Sequence, residues 1–144
     1  MKKRVLLAVM TATLLLGGCG SQAEMKDGFY TAETAEYSHG WKEYVCIMVK
    51  DNTIVSVEFN AKDPSGYIKA WDNAYMQNMF TANGTYPNEY TRLYGAQLLE
   101  QQEDFQLDAV SGASHSGQNF ERLAAAVMEQ ARKGDETTVQ VETE

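Results

Sequence analysis

The chain has 144 residues, enough for one domain and short for two, and it carries 20 acidic against 12 basic side chains for a formal net charge of −8. Such a balance repels phosphate backbones and anionic lipid headgroups, so no nucleic acid and no charged membrane surface is an expected partner. His39 and His115 are the only histidines, and there is no CxxC or HExxH spacing, which argues against a structural or catalytic metal site.

Residues 1–18 read as a signal peptide: Lys2, Lys3 and Arg4, an apolar run from Val5 to Leu16, then Gly17 and Gly18. The run falls short of the ~20 residues needed to cross a bilayer. LGGC, Leu16 to Cys19, resembles the bacterial lipobox, in which cleavage precedes the cysteine and its sulfur receives a diacylglycerol. An ordinary secreted leader or a short membrane anchor is the alternative. The resemblance implies lipidation at Cys19, a linker over 19–26, and attachment to the extracytoplasmic face of a bacterial cell membrane through the lipid. Cys46 is then left without an intrachain disulfide partner; within YVCIMV it reads as an inert sheet residue in preference to a reactive thiol.

Beyond the linker the hydrophobic pattern alternates. Gly28 to Ala35, Trp41 to Lys50 and Thr53 to Ala61 read as three strands, the last two joined by Asp51 and Asn52 in a tight hairpin. Val45, Ile47 and Val49 share one face, as do Val55, Val57 and Phe59, so an antiparallel sheet with one buried face is expected. Asp63 to Gly66 break the pattern. Ile68, Trp71, Tyr75 and Met79 then recur at helical spacing, as do Tyr90, Leu93, Tyr94 and Leu98 after Pro87, and both stripes read as core packing. Phe120, Leu123, Ala124, Val127, Met128 and Ala131 mark a final helix stopped by Gly134. The tail over 135–144 is acidic and reads as disordered, although its VQV could add an edge strand. Strands followed by helices predict an α+β domain over 27–134, with helices packed on one face of the sheet.

DAVSGASHSGQNF, residues 108–120, places small residues and hydroxyls at the start of that last helix. Unpaired amides and the positive dipole end favour an anion such as phosphate there, and Gly112 and Ala113 let a ligand approach the backbone. Ser111, Ser114 and Ser116 supply hydroxyls that can donate to phosphate oxygens or be esterified. The competing reading is a plain serine N-cap. A hydrolase nucleophile is weaker, since Ser114 lacks the GxSxG surroundings, and no GxxxxGK[ST] or GxGxxG occurs.

DAVSGASHS also resembles the flavinylation motif of the FMN-binding domain family, commonly Asp, two variable positions or a hydroxyl, then Gly-Ala-Thr. DGFYTAE, YSHGWKEYV, VEFNAKD and SGASHSGQNFERLAAAV extend the resemblance to the lipoprotein branch of that family over most of 27–134. In the family an FMN transferase joins FMN to the motif threonine through a phosphoester. The resemblance implies Asp108 as motif aspartate, Ser111 as the preceding hydroxyl, Gly112 and Ala113 as the small pair, and Ser114 as acceptor. Serine stands at the acceptor position where threonine is usual, so tight noncovalent FMN and an empty site stay open beside attachment.

Given a flavin, Trp41 offers a flat surface and His39 a hydrogen-bond partner, unless they serve as strand-start packing and a solvent-facing loop. Ser116 joins the phosphate site. His115 could offset phosphodiester charge or lie exposed, and Lys42, Lys62 and Lys69 could favour a reduced flavin or be solvated. No acid/base pair is apparent, so the implied role is an electron carrier and not a self-sufficient enzyme. Its partners would be a membrane donor, quinol or dehydrogenase, and an external acceptor. A surface-antigen or ligand-binding lipoprotein without flavin, and a flavin relay within a reductase, are the rivals.

Overall fold

Two tight turns set the register of the sheet. In the computed structural model, which describes residues 22–143, strand β1 (Gly28–Thr34) returns as β2 (Lys42–Lys50) through residues 35–41, whose tip is a two-residue turn inside the Ser38–Trp41 bridge, and β2 returns as β3 (Thr53–Lys62) through a two-residue loop. His39 and Gly40 have φ of 51° and 84°, and Asp51 and Asn52 have φ of 49° and 58°, the left-handed pairs that hairpins with right-twisted strands require. Ser38 and Trp41 close the first loop with bonds of 2.8 and 3.0 Å. The expected signal peptide, 1–18, and the lipid acceptor Cys19 lie outside the described residues.

Three helices follow: α1 (Asn73–Asn83), α2 (Pro87–Gln101) and α3 (Ser114–Lys133), before a last strand β4 (Val139–Val141). The sheet order is β3-β2-β1-β4, with β4 parallel to β1 and the other pairs antiparallel. The architecture is α+β, with α3 lying across β1 and β2 and α2 across β3. Tyr30, Val45, Ile47, Phe59, Tyr94, Phe120, Leu123 and Val127 form the centre of the core. Phe120 anchors it, its ring 4.8 Å from Phe59 and 5.7 Å from Tyr94. Cys46 is a free thiol on the other face of the sheet, between Thr31 and Glu58.

Four sequence expectations change. Met48 pairs with Ser56 but Val49 pairs with Ile54, so Val55 is the extra residue of a bulge. It turns outward, 46% exposed, and Ile54 takes the core position. The stripe from Ile68 to Met79 is two pieces, because Asp72 ends a 3-10 turn (Lys69–Trp71) and restarts the chain as α1, accepting the Tyr75 amide at 2.9 Å. That phase change leaves Trp71 exposed and α1 with no buried residue. In α2, Leu93 is exposed because the buried face runs through Pro87, Tyr90, Thr91, Tyr94 and Leu98. The tail is ordered where Val139–Val141 joins β1 as an edge strand, so the antiparallel sheet expected becomes a mixed one.

Candidate functional site

The segment leading into α3 is held by α2. Gln97 accepts the Asp108 amide at 2.7 Å and donates to its carbonyl at 2.9 Å, and one turn on Gln101 treats Gln106 the same way. The Tyr94 hydroxyl accepts the Val110 amide at 3.0 Å and donates to the Ala113 carbonyl at 3.1 Å. Between these contacts Gly112 adopts φ 86°, and a Cβ there would collide with the Asn83 carbonyl at the end of α1. Glycine is required on both counts. The small-residue turn is thus fixed by α1 and α2 before α3 begins.

Helix α3 begins uncapped. Ala113 occupies the N-cap and offers no side-chain bond, so the first-turn amides of Ser114, His115 and Ser116 are left for an outside acceptor. The competing reading, a serine N-cap, is not what forms. Ser114 is the first helical residue and is exposed, whereas Ser116 is buried and donates to Glu43 at 2.6 Å.

This helix start opens on a cleft of about 170 Å³. Its walls come from the β1–β2 turn, the start of β2, the 3-10 turn, α1 and α2. Trp41 and Tyr75 meet edge to face at 5.9 Å, and the Lys69 ammonium lies 4.6 Å from the Tyr75 ring and 5.8 Å from the Trp41 ring. Glu43, 8% exposed, accepts from Ser116 on one oxygen and from Asn119 on the other at 2.7 Å. Burial, opposed by the Ser116 hydroxyl and assisted by the Glu43 charge, pushes the Tyr90 phenol well above its ordinary value and keeps it neutral. The cleft therefore presents flat rings, the satisfied carboxylate of Glu43, the exposed Glu36 at its rim, the His39 and His115 imidazoles and the Lys69 ammonium.

Of the residues singled out in the sequence, His39, Trp41, Gly112, Ala113 and Ser116 line this cleft, with His115 beside them. Asp108, Ser111 and Ser114 do not; they are exposed around the turn, Ser114 lying between two lining residues. Lys42 and Lys62 are on the opposite face of the sheet, 3.5 and 2.7 Å from Glu33, and only Lys69 of the three lysines reaches the cleft. Glu43 and Asn119 were not evident as site residues. Both carried a signal: Glu43 falls in phase with Val45, Ile47 and Val49, and Asn119 lies on the buried stripe of α3, positions where an unexplained polar group marks a site. Among the described residues, no group of three metal-ligating side chains forms.

No known family profile matches the chain. A Treponema pallidum (strain Nichols) protein named "15 kDa lipoprotein" is 30% identical over 140 residues, spanning 96% of this chain and 98% of that one. A crystal structure of a Clostridium perfringens protein superposes with a TM-score of 0.78 at 32% identity, covering 83% of this chain and 99% of the other. A Clostridium thermocellum protein solved by NMR is 31% identical over 74% of this chain and 92% of its own, with a TM-score of 0.49. Identity at this level along nearly the whole of both sequences means that the chain belongs to the family of the Treponema pallidum 15 kDa lipoprotein.

Proposed function

We propose that the chain is an exported, lipid-anchored redox protein that carries electrons on FMN held at the start of α3. One observation supports this most: the uncapped helix start and the buried Lys69 belong to one cleft whose walls are flat aromatic rings. The residues present fit the group. First-turn amides suit its phosphate, and Trp41 and Tyr75 suit its ring system. The volume of about 170 Å³ is below the roughly 300–1,000 Å³ of sites that enclose a whole small ligand. Part of the ring would stay in solvent, where a redox partner can approach it. Bound there, FMN supplies electron-transfer chemistry that no side chain of the cleft provides.

Ser114 is the attachment point in this reading. Its exposed hydroxyl is open to an FMN transferase and adjoins Ala113 and His115 of the cleft. Asp108 and Ser111, exposed on the turn, serve recognition by that transferase more readily than contact with the ring. Ser116 is committed to Glu43 and shapes the floor.

The lipid anchor rests on Cys19 and on the name of the Treponema pallidum relative. Among the described residues no helix is long and apolar enough to cross a membrane. The chain enters the domain beside the far end of α3, where the Met25 amide donates to Asn52 at 2.7 Å and the Lys26 amide to Ala131 at 2.9 Å. The cleft thus opens at the other end of α3 from the point where residues 25 and 26 join the domain. That arrangement favours an external acceptor, and a membrane donor, whether dehydrogenase or quinol system, must reach past the domain.

Co-expression with an FMN transferase in an exported form, followed by intact mass and peptide mapping, tests the reading. An FMN increment on the peptide containing Ser114, lost in Ser114→Ala, is expected. Flavin released by denaturation would refute attachment, and no flavin under any condition would overturn the redox assignment.

A further inference from the structure

Among the described residues Lys69 alone of the lysines and arginines is buried. Lys42 and Lys62 pair with Glu33, Arg132 with Glu103, and Lys133 with Glu129. Lys69 is 8% exposed, and among the described residues no carboxylate or hydrogen-bond acceptor meets its ammonium, only the faces of Tyr75 and Trp41. It is also absent from the fully sealed polar atoms without a partner, so its tip faces the cleft it lines. Glu43, the buried carboxylate of the same cleft, already has a donor on each oxygen. The 3-10 turn holds Lys69 in place, since Ile68 bridges to Lys62 at the end of β3 and the turn buries Lys69 while sending Trp71 outward. An ammonium on a largely buried stem, flanked by ring faces and open to the cleft, is placed to meet a ligand that brings negative charge to it.

We infer that Lys69 sets the redox potential of the group bound in this cleft, by favouring its reduced form over its oxidised form. The inference rests on the FMN reading. Reduction by two electrons and one proton leaves the flavin ring system with one negative charge, which the ammonium stabilises, while the neutral oxidised ring gains less. The residue acts as a charge held beside the ring and takes no part in proton or hydride transfer.

The mature chain, made without an FMN transferase so that FMN binds reversibly, is compared as wild type, Lys69→Met, Lys69→Gln, Lys69→Arg and Lys42→Met. Affinities for oxidised FMN and for dithionite-reduced FMN are measured anaerobically, and midpoint potentials against redox dyes. In Lys69→Met and Lys69→Gln the preference for reduced FMN should fall about tenfold, equivalent to about 30 mV for a two-electron couple. Lys69→Arg should keep the preference within threefold, and Lys42→Met, on the other face of the sheet, should leave it unchanged. An unchanged preference in whichever neutral variant retains the wild-type circular dichroism and thermal midpoint overturns the inference while leaving the FMN reading intact. Failure of the wild type to bind either form, and to take up FMN on co-expression with an FMN transferase, overturns both.

Discussion

The two ends of α3 are built to different standards. At its C-terminal end Gly134 takes φ 69° and its amide donates to Ala131 and Gln130, while the Asp135 amide also reaches the Gln130 carbonyl. Lys26 adds its own amide to Ala131 and its ammonium to the Lys133 carbonyl at 3.2 Å, and Arg132 and Lys133 complement the dipole. At the N-terminal end no side chain caps the helix, and Ser116, Asn119, Glu43 and Lys69 bring polar groups into a region otherwise filled by core. About 22 Å of helix, at roughly 1.5 Å per residue, separates Ser116 from Ala131. Helix stability favours capping both ends, so an end left open and lined with buried polar groups is shaped for something other than stability.

The two flanking glycines break this comparison most sharply. Gly112→Ala places a Cβ against the Asn83 backbone at a left-handed φ, and should cost about 3 kcal/mol in chemical denaturation and abolish FMN binding. Gly134→Ala meets only the flexible Lys26 side chain, so it should cost about 1 kcal/mol and leave FMN affinity unchanged. Equal effects of the two on ligand binding would erase the distinction between the ends.

Ser116→Ala comes next. It removes one of two donors to a buried carboxylate and should cost about 2 kcal/mol, with weaker flavin binding because the floor of the cleft loosens. Urea midpoints and FMN titration check both halves.

The smallest effect is at the finished end, in acid. The Thr137 hydroxyl and amide, at 2.7 and 3.0 Å, hold the Asp135 carboxyl below its ordinary value of 3.8. A carboxyl with a depressed folded value stabilises above its unfolded value and loses that contribution as pH falls through the folded one. Hydrogen exchange of β4 should therefore quicken below about pH 3.8 before that of the cleft end. Exchange quickening first at the hydrogen-bonded amides of α3 from Gly117 to Phe120 would contradict this.

Much of the fold was legible because its signals are local. Asp51 and Asn52 between alternating runs specify a hairpin, and the stripe from Phe120 to Ala131 specifies the buried face of α3. The bulge at Val55 was not, since alternation reads the same on either side of an inserted residue. The break at Asp72 was hidden for a related reason: an N-cap inside a helical pattern resets the phase without removing the pattern. In the site, the turn at Gly112 and the loop at His39 to Trp41 were readable from their residue types. The pairing of Glu43 with Ser116 and Asn119 joins residues 73 and 76 positions apart and appears only when β2 lies under α3.

Backbone amide and indole NMR shifts on adding FMN to the mature chain test the central claim most directly. Shifts confined to Gly112 through Gly117 and the Trp41 indole, with Gly134 and its neighbours unmoved, are the predicted result. No shift at the start of α3, or shifts centred on its C-terminal end, would contradict it.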